Sequence, residues 1–324
     1  MKKRIFCLLI SLAVLLSIPA YADEAQFPIA EKFTAKVFIN DDLDGFELPY
    51  RLFVPQKYDS QKKYPVILFL HGLGECGNDN SSQFQNGVQT LFDTCPELLE
   101  ECIFILPQCP EGQQWVGTEP DHLFNGNYST DTLAETEAMQ SAIKLLESIL
   151  GEYSCDRDRV YVMGLSMGGF GTWDALVRHG ELFAAGVPLC GGGDEAYAQK
   201  LTDIPIWTYH GTADPIVKFD GTRRMVDLIT DAGGEKIIFT AVENAKHDVW
   251  SEATTNPALI KWLFAQSKAP EAAVKPENPQ PSPTEAPASS HEITPQLPPV
   301  EYFVIFGVII LGIVSIAIFT EKKR

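Results

Sequence analysis

Val160-Tyr161-Val162-Met163-Gly164-Leu165-Ser166-Met167-Gly168-Gly169-Phe170 is the stretch from which the architecture can be read. Residues 160–163 form a short apolar run of strand character, and residues 170–177 have the period of an amphipathic helix. What lies between them leaves room only for a sharp turn. A turn tight enough to push Ser166 out above a sheet brings its neighbours too close for side chains, and glycine stands at 164, 168 and 169. Gly-x-Ser-x-Gly between a strand and a helix is the setting of an exposed nucleophile. Ser166 would then stand at a helix N-terminus, where free N–H groups and the helix dipole favour developing negative charge. The plainer alternative is a glycine-rich turn with an incidental serine; the strand before it and the helix after it favour the nucleophile.

Working outward, apolar and often β-branched runs occur at residues 33–39, 48–54, 66–71, 102–106, 160–164, 184–189, 204–210 and 236–242. The later runs are continuously apolar, as in parallel strands covered on both faces. Helical period is clearest over residues 131–150, where Met139, Ile143, Leu146 and Leu150 share a face and Thr132 with Glu135 has capping-box spacing. Further helices are expected after Ser166, Asp220 and Pro257. The expected fold is α/β, one doubly wound and mostly parallel sheet of about eight strands with helices on both faces.

A nucleophilic serine needs a base and a group to orient that base. Asp214 lies four residues past the run ending at His210, in His210-Gly211-Thr212-Ala213-Asp214-Pro215, at the strand end where such sheets place catalytic groups. Asp220 competes, although a helix-capping role suits it, and Asp203 precedes the strand at the wrong end of the sheet. His247 follows the last run and can fold back over the same edge. Of the six histidines, His71 and His210 end strands and would brace loops, His122 and His179 lie outside the later loops, and His291 lies in a Pro-rich stretch. Ser166, Asp214 and His247 thus come in the chain order of nucleophile, acid and base used on doubly wound sheets. The oxyanion of a tetrahedral intermediate needs N–H donors. The candidates are Met167, just after the nucleophile, and Leu73 in the loop His71-Gly72-Leu73-Gly74; those glycines equally suit a plain tight turn.

The formal charge of −18, with no basic stripe in the middle of the chain, argues against a nucleic-acid partner. Of seven cysteines, Cys7 lies in the N-terminal apolar stretch, leaving Cys76, Cys95, Cys102, Cys109, Cys155 and Cys190. Their spacing does not suit a zinc site, and no metal or other cofactor is expected. An even number permits disulfides, with Cys76 or Cys109 the expected members.

Both ends read as export signals. Lys2-Lys3-Arg4, an apolar stretch from Ile5 to Ile18 and Ala20-Tyr21-Ala22 together have the form of a cleavable signal peptide over residues 1–22. Residues 23–268 would be the catalytic domain. Residues 269–299, rich in Pro, Glu, Ser, Thr and Ala, would be a disordered stalk. Residues 300–320, whose apolar core runs from Tyr302 to Phe319, would be a transmembrane helix, and the basic tail 321–324 would stay in the cytoplasm. The domain would then be held outside the cell membrane, or in the wall or medium if the C-terminus is processed.

Several motifs fall in register with a known group. Leu68-Phe69-Leu70-His71-Gly72-Leu73-Gly74-Glu75, Gly77-Asn78-Asp79-Asn80, Leu106-Pro107-Gln108-Cys109-Pro110 with Trp115, the elbow with Thr172-Trp173, and Cys190-Gly191-Gly192-Gly193-Asp194 resemble secreted esterases of the polyhydroxybutyrate-depolymerase and feruloyl-esterase type. That group is also described as predicted peptidases or phospholipase/carboxylesterases. The resemblance covers about residues 47–266. It implies an α/β-hydrolase, an ester substrate, no metal, and Ser166, Asp214 and His247 as the triad. It also implies an acyl pocket lined by Trp115, Gly191 and Gly192, with Trp115 equally readable as a core aromatic. Leu73 stands where many relatives have a small residue, and Cys76 where they often have Arg.

Two rivals carry the same features: a serine peptidase of prolyl-oligopeptidase type, for whose propeller the chain has no room, and a catalytically silent polysaccharide-binding module. The C-terminus supplies its own test. A sortase-type signal would need Leu-Pro-x-Thr-Gly, and Leu297-Pro298-Pro299-Val300-Glu301 lacks the Thr-Gly bond. The protein should therefore extract with detergent at a mass that includes Arg324; a form ending before Tyr302, held in the wall or free in the medium, would contradict the anchor.

Overall fold

The structure, a computed structural model, describes residues 27–117, 129–130 and 133–268. The expected signal peptide, stalk, transmembrane helix and basic tail lie outside the described residues. Among the described residues no helix is long and apolar enough to cross a membrane.

Eight strands build one sheet: β1 (Thr34–Asn40), β2 (Phe46–Phe53), β3 (Tyr64–Leu70), β4 (Ile103–Pro107), β5 (Cys155–Leu165), β6 (Ala185–Leu189), β7 (Ile206–Gly211) and β8 (Ile237–Val242). Their order is β1-β2-β4-β3-β5-β6-β7-β8. β1 and β2, and β2 and β4, pair antiparallel, and every later pairing is parallel. Each expected run is a strand. The largest departure is β5, which starts at Cys155 rather than at residue 160. A register shift opposite Tyr64 and Val66 lets the longer strand stay paired with β3.

The helices are α1 (Val88–Thr94), α2 (Leu98–Glu101), α3 (Glu137–Glu152), α4 (Met167–His179), α5 (Phe219–Asp231), α6 (Trp250–Thr254) and α7 (Pro257–Phe264). All seven residues of β3 are buried because both faces of the sheet are covered. On one face Val66, Leu68 and Leu70 pack in a cluster with Met139, Leu146 and Ile149 of α3, Phe170 and Trp173 of α4, and Met225 of α5. On the other, Ile67 and Phe69 join Val88 and Leu91 of α1 and Leu259 and Leu263 of α7. Successive side chains of one strand thus feed opposite cores.

Helix α3 starts later than its sequence period suggests. Thr136 is the cap, its Oγ1 accepting from Met139 N at 3.1 Å, while Thr132 of the expected capping pair lies outside the described residues. Glu135 lies ahead of the helix, and its Oε1 is 2.6 Å from His179 Nε2. The expected disulfide is likewise not formed, because all six described cysteines are free.

Among the described residues the passage from β5 into α4 has the closest approach at a glycine. A Cβ added to Gly168 would lie 1.9 Å from Leu70 O, and one added to Gly164 would lie 2.4 Å from Gly168 O. Both obstacles are backbone, so no rotamer change relieves them. Gly168→Ala should lower unfolding free energy by about 3 kcal/mol or more. Gly151, near the end of α3 with nothing within 4 Å of an added Cβ, offers the opposite case. Gly151→Ala should leave stability unchanged or raise it by up to ~1 kcal/mol. Urea titration of both variants checks the contrast, and equal losses would contradict it.

Candidate active site

Ser166 is the residue on which β5 ends and α4 begins, and its backbone is strained, with φ 54° and ψ −118°. A non-glycine residue there costs about 1–3 kcal/mol and persists only where its surroundings over-determine it. Two hydrogen bonds do so: Ser166 N donates to Leu189 O at 2.9 Å, and Ser166 O accepts from Phe170 N at 3.1 Å. The next strand end repeats the pattern, since Cys190 has φ 41° and donates its N–H to Tyr209 O at 2.8 Å.

His247 and Asp214 reach this turn from loops beyond β8 and β7. His247 Nε2 is 2.8 Å from Ser166 Oγ, and His247 Nδ1 is 2.7 Å from Asp214 Oδ2. A carboxylate only accepts, so Nδ1 carries the hydrogen and Nε2 is the lone pair facing the serine hydroxyl. Asp214 is fixed from its other side: Oδ1 accepts from Ile216 N at 2.8 Å and Val217 N at 3.0 Å. Burial alone would raise this carboxyl's pKa, but hydrogen bonds from His210, His247 and Ile216 hold it well below the usual carboxylate range. Asp220 is exposed and ion-paired with Arg223, away from His247. The structure therefore gathers the three sequence candidates and leaves their competitor outside.

The loop after β3 lies beside Ser166, since a Cβ on Gly72 would be 3.5 Å from Ser166 Cβ. Leu73 and Met167 each begin a helical turn, so their N–H groups are left without intrahelical partners. His71 holds this loop from within. Its Nδ1 donates to Gly72 O at 2.6 Å and its Nε2 accepts from Cys109 N at 2.8 Å. Burial drives the His71 pKa down to about 4, so the ring is a neutral strut. Glu75, also buried, receives the Asn86 amide, and burial raises its pKa despite that bond. The thiols of Cys76 and Cys109 share a hydrogen bond, which lowers the pKa of Cys76; burial, together with that bond, raises that of Cys109.

The expected pocket residues are placed differently. Trp115 is completely buried, its Nε1 donating to His71 O at 3.0 Å and its ring meeting His71 edge-on. In this structure it braces the loop after β3 from behind and lines no open surface, in keeping with the core-aromatic alternative. Gly191 is close-packed against α4, because an added Cβ would lie 2.5 Å from Gly169 C, and Gly192 is buried beside it. Three side chains support the pair of Asp214 and His247; sequence reasoning gave His210 only a loop-bracing role and passed over Thr222 and Trp250. His210 lies under Asp214, Nε2 to Oδ2 3.2 Å, Thr222 lies under His210, and Trp250 stands edge-on to His247 with ring centroids 5.5 Å apart. The position of His210, at a strand end four residues before Asp214, was the available signal. A cavity of about 480 Å³ lined by Lys32, Phe53, Tyr64 and Arg159 opens where β3 begins, far from the strand ends that carry Ser166. Among the described residues no group of His, Cys, Asp and Glu gathers to hold a metal.

A mostly parallel eight-stranded sheet, with its sharpest turn leading from β5 into α4, is the α/β-hydrolase fold. Within that class the chain belongs to the phospholipase/carboxylesterase family, whose model matches residues 57–256. It is similar to a bifunctional acetylxylan esterase/xylanase of Neocallimastix patriciarum, 26% identical over 155 residues, covering 48% of this chain and 20% of that protein. It is also similar to a probable feruloyl esterase C of Aspergillus terreus, 25% identical over 185 residues, covering 57% of this chain and 62% of that protein. The matches thus span a fifth and less than two thirds of these relatives. Among solved structures, a thermostable esterase is 36% identical with a TM-score of 0.66, covering 74% of this chain and 64% of that one. A ferulic acid esterase at 18% identity and TM-score 0.54 shares the fold.

The depressed carboxyl of Asp214 has a consequence for stability. Its folded pKa lies below the unfolded value near 3.9, so the stabilisation is present above about pH 4 and is lost as pH falls further. Urea midpoints should fall on acidification below pH ~4, and Asp214→Asn should flatten that limb; an equally steep limb in the variant would contradict the assignment.

Proposed function

We propose that the protein is an extracytoplasmic serine esterase in which Ser166, His247 and Asp214 form the catalytic triad. The observation that carries this reading is the continuous chain of short hydrogen bonds from Ser166 Oγ through both nitrogens of His247 to Asp214. His247 Nε2 takes the hydroxyl proton as Ser166 Oγ attacks the ester carbonyl carbon. The carbonyl electrons move onto its oxygen, which the Leu73 and Met167 N–H groups receive. Collapse expels the alcohol, protonated by His247, and leaves an acyl-serine. Water, deprotonated by the same imidazole, then releases the acid. Asp214 keeps the ring oriented and offsets its transient charge.

Family membership and the names of the two relatives support an ester substrate of the acetyl or feruloyl kind, joined to a small molecule or a polysaccharide. The basic, apolar and small-residue order of residues 1–22 supports export, and the apolar run with its basic tail over residues 300–324 supports retention at the membrane. Residues 269–299 would be the spacer between them.

The test is hydrolysis by the purified full chain of p-nitrophenyl acetate, longer acyl esters, methyl ferulate and peptide anilides. Esters should be cleaved and anilides should not. Ser166→Ala should lose about 10³-fold or more in kcat, and Asp214→Asn should lose a comparable factor. Asp220→Asn should leave the rate unchanged. Full ester turnover by Ser166→Ala, or anilide turnover without ester turnover, would contradict the proposal.

A further inference from the structure

His210, at the end of β7, is completely buried, and counting hydrogen-bond donors around it fixes its protons. Thr222 Oγ1 lies 2.6 Å from Gly191 O, which can only accept, so the single hydroxyl hydrogen points there. The same oxygen lies 2.7 Å from His210 Nδ1. With its hydrogen committed, Thr222 can only accept from that side, and Nδ1 must carry a hydrogen. Nε2 faces two acceptors, Val217 O at 3.1 Å and Asp214 Oδ2 at 3.2 Å, so it must carry one too. His71 answers the same count differently. Its Nδ1 faces a carbonyl and its Nε2 faces the Cys109 N–H, which makes it neutral.

We propose that His210 is held as a buried imidazolium beneath Asp214, a positioning residue that shares one carboxylate oxygen with His247. The proposal rests on the triad reading and deepens it. Oδ2 of Asp214 bridges the two rings, 2.7 Å from His247 Nδ1 and 3.2 Å from His210 Nε2. A buried charge must be paired, and the carboxylate pairs this one. The consequence falls on His247. Each added proton there places a second cation on an oxygen that already serves one, and like charges disfavour the charged form. A charge on His210 thus opposes a second positive charge on His247 at the shared oxygen.

The other groups facing the ring do not disturb this balance. Helix α5 presents Thr222 and the edge-on ring of Phe219, while its charged Asp220, Arg223 and Asp227 are exposed and pair with one another. From β8 the neighbour is Ala241.

Two measurements on the full chain test the proposal. In ring-¹⁵N-histidine protein, long-range ¹H–¹⁵N correlations should show both His210 nitrogens protonated between about pH 6 and 8, the region in which free histidine titrates. His71 should show one protonated and one bare nitrogen. His210 is assigned through its contact with Phe219, so the reading does not depend on a variant that folds. A bare nitrogen on His210 would overturn the proposal. In His210→Gln, whose amide keeps a neutral donor toward Asp214, the acid limb of kcat/KM should move up by roughly one pH unit. A purely structural role would lower kcat without moving that limb, and an unmoved limb would overturn the electrostatic role. Ester turnover by Ser166→Ala would instead overturn the triad reading and leave the ring's protonation standing.

Discussion

The contact between Gly168 and the carbonyl of Leu70 is the constraint on which the site depends. Helix α4 can start where it does only because its first turn lies directly against the C-terminal end of β3, at a distance that admits no side chain. That approach turns Ser166 upward and leaves the N–H of Met167, the first residue of α4, outside the helical ladder. It also brings the loop after β3, with Gly72 and Leu73, alongside Ser166. One backbone contact thus positions three parts of the proposed machinery, and a glycine is its chemical requirement.

Strain follows from the same geometry and is borne by the sheet. Ser166 and Cys190 occupy backbone conformations that cost about 1–3 kcal/mol each. Burying a single large apolar side chain stabilises by ~1.5–3 kcal/mol, and the two clusters beneath these turns contain many, Phe170 and Trp173 on one face and Met163 and Leu189 on the other. The strands on either side of the strained pair are locked by parallel ladders from Tyr161 to Leu189. A soft core would let the turn relax, and Ser166 Oγ would no longer stand within hydrogen-bond reach of His247.

Much of this was legible in the chain itself. Strand-length apolar runs marked all eight strands, because a buried parallel sheet needs continuous apolar segments. Gly-Leu-Ser-Met-Gly marked the elbow, because its steric demand is local. Asp214 and His247 were found by their position after strands, and their competitor Asp220 proved to be exposed. What could not be read depends on contacts between distant residues. The protons of His210 are set by Thr222, twelve positions later, and by Gly191, nineteen earlier. Trp115 is drawn into the core by a hydrogen bond to His71, forty-four positions away. Helix α3 starts later than its sequence period because Thr136 closes its first turn, a local bond that apolar periodicity does not report.

The central claim, that this fold arms one serine among the many in the chain, is tested most directly by covalent capture. The full protein, treated with a fluorophosphonate and digested, should yield one modified peptide by mass spectrometry, with the adduct on Ser166. His247→Ala should suppress that labelling while circular dichroism remains unchanged. An adduct on another residue, or labelling of Ser166 that survives the loss of His247 undiminished, would contradict the account.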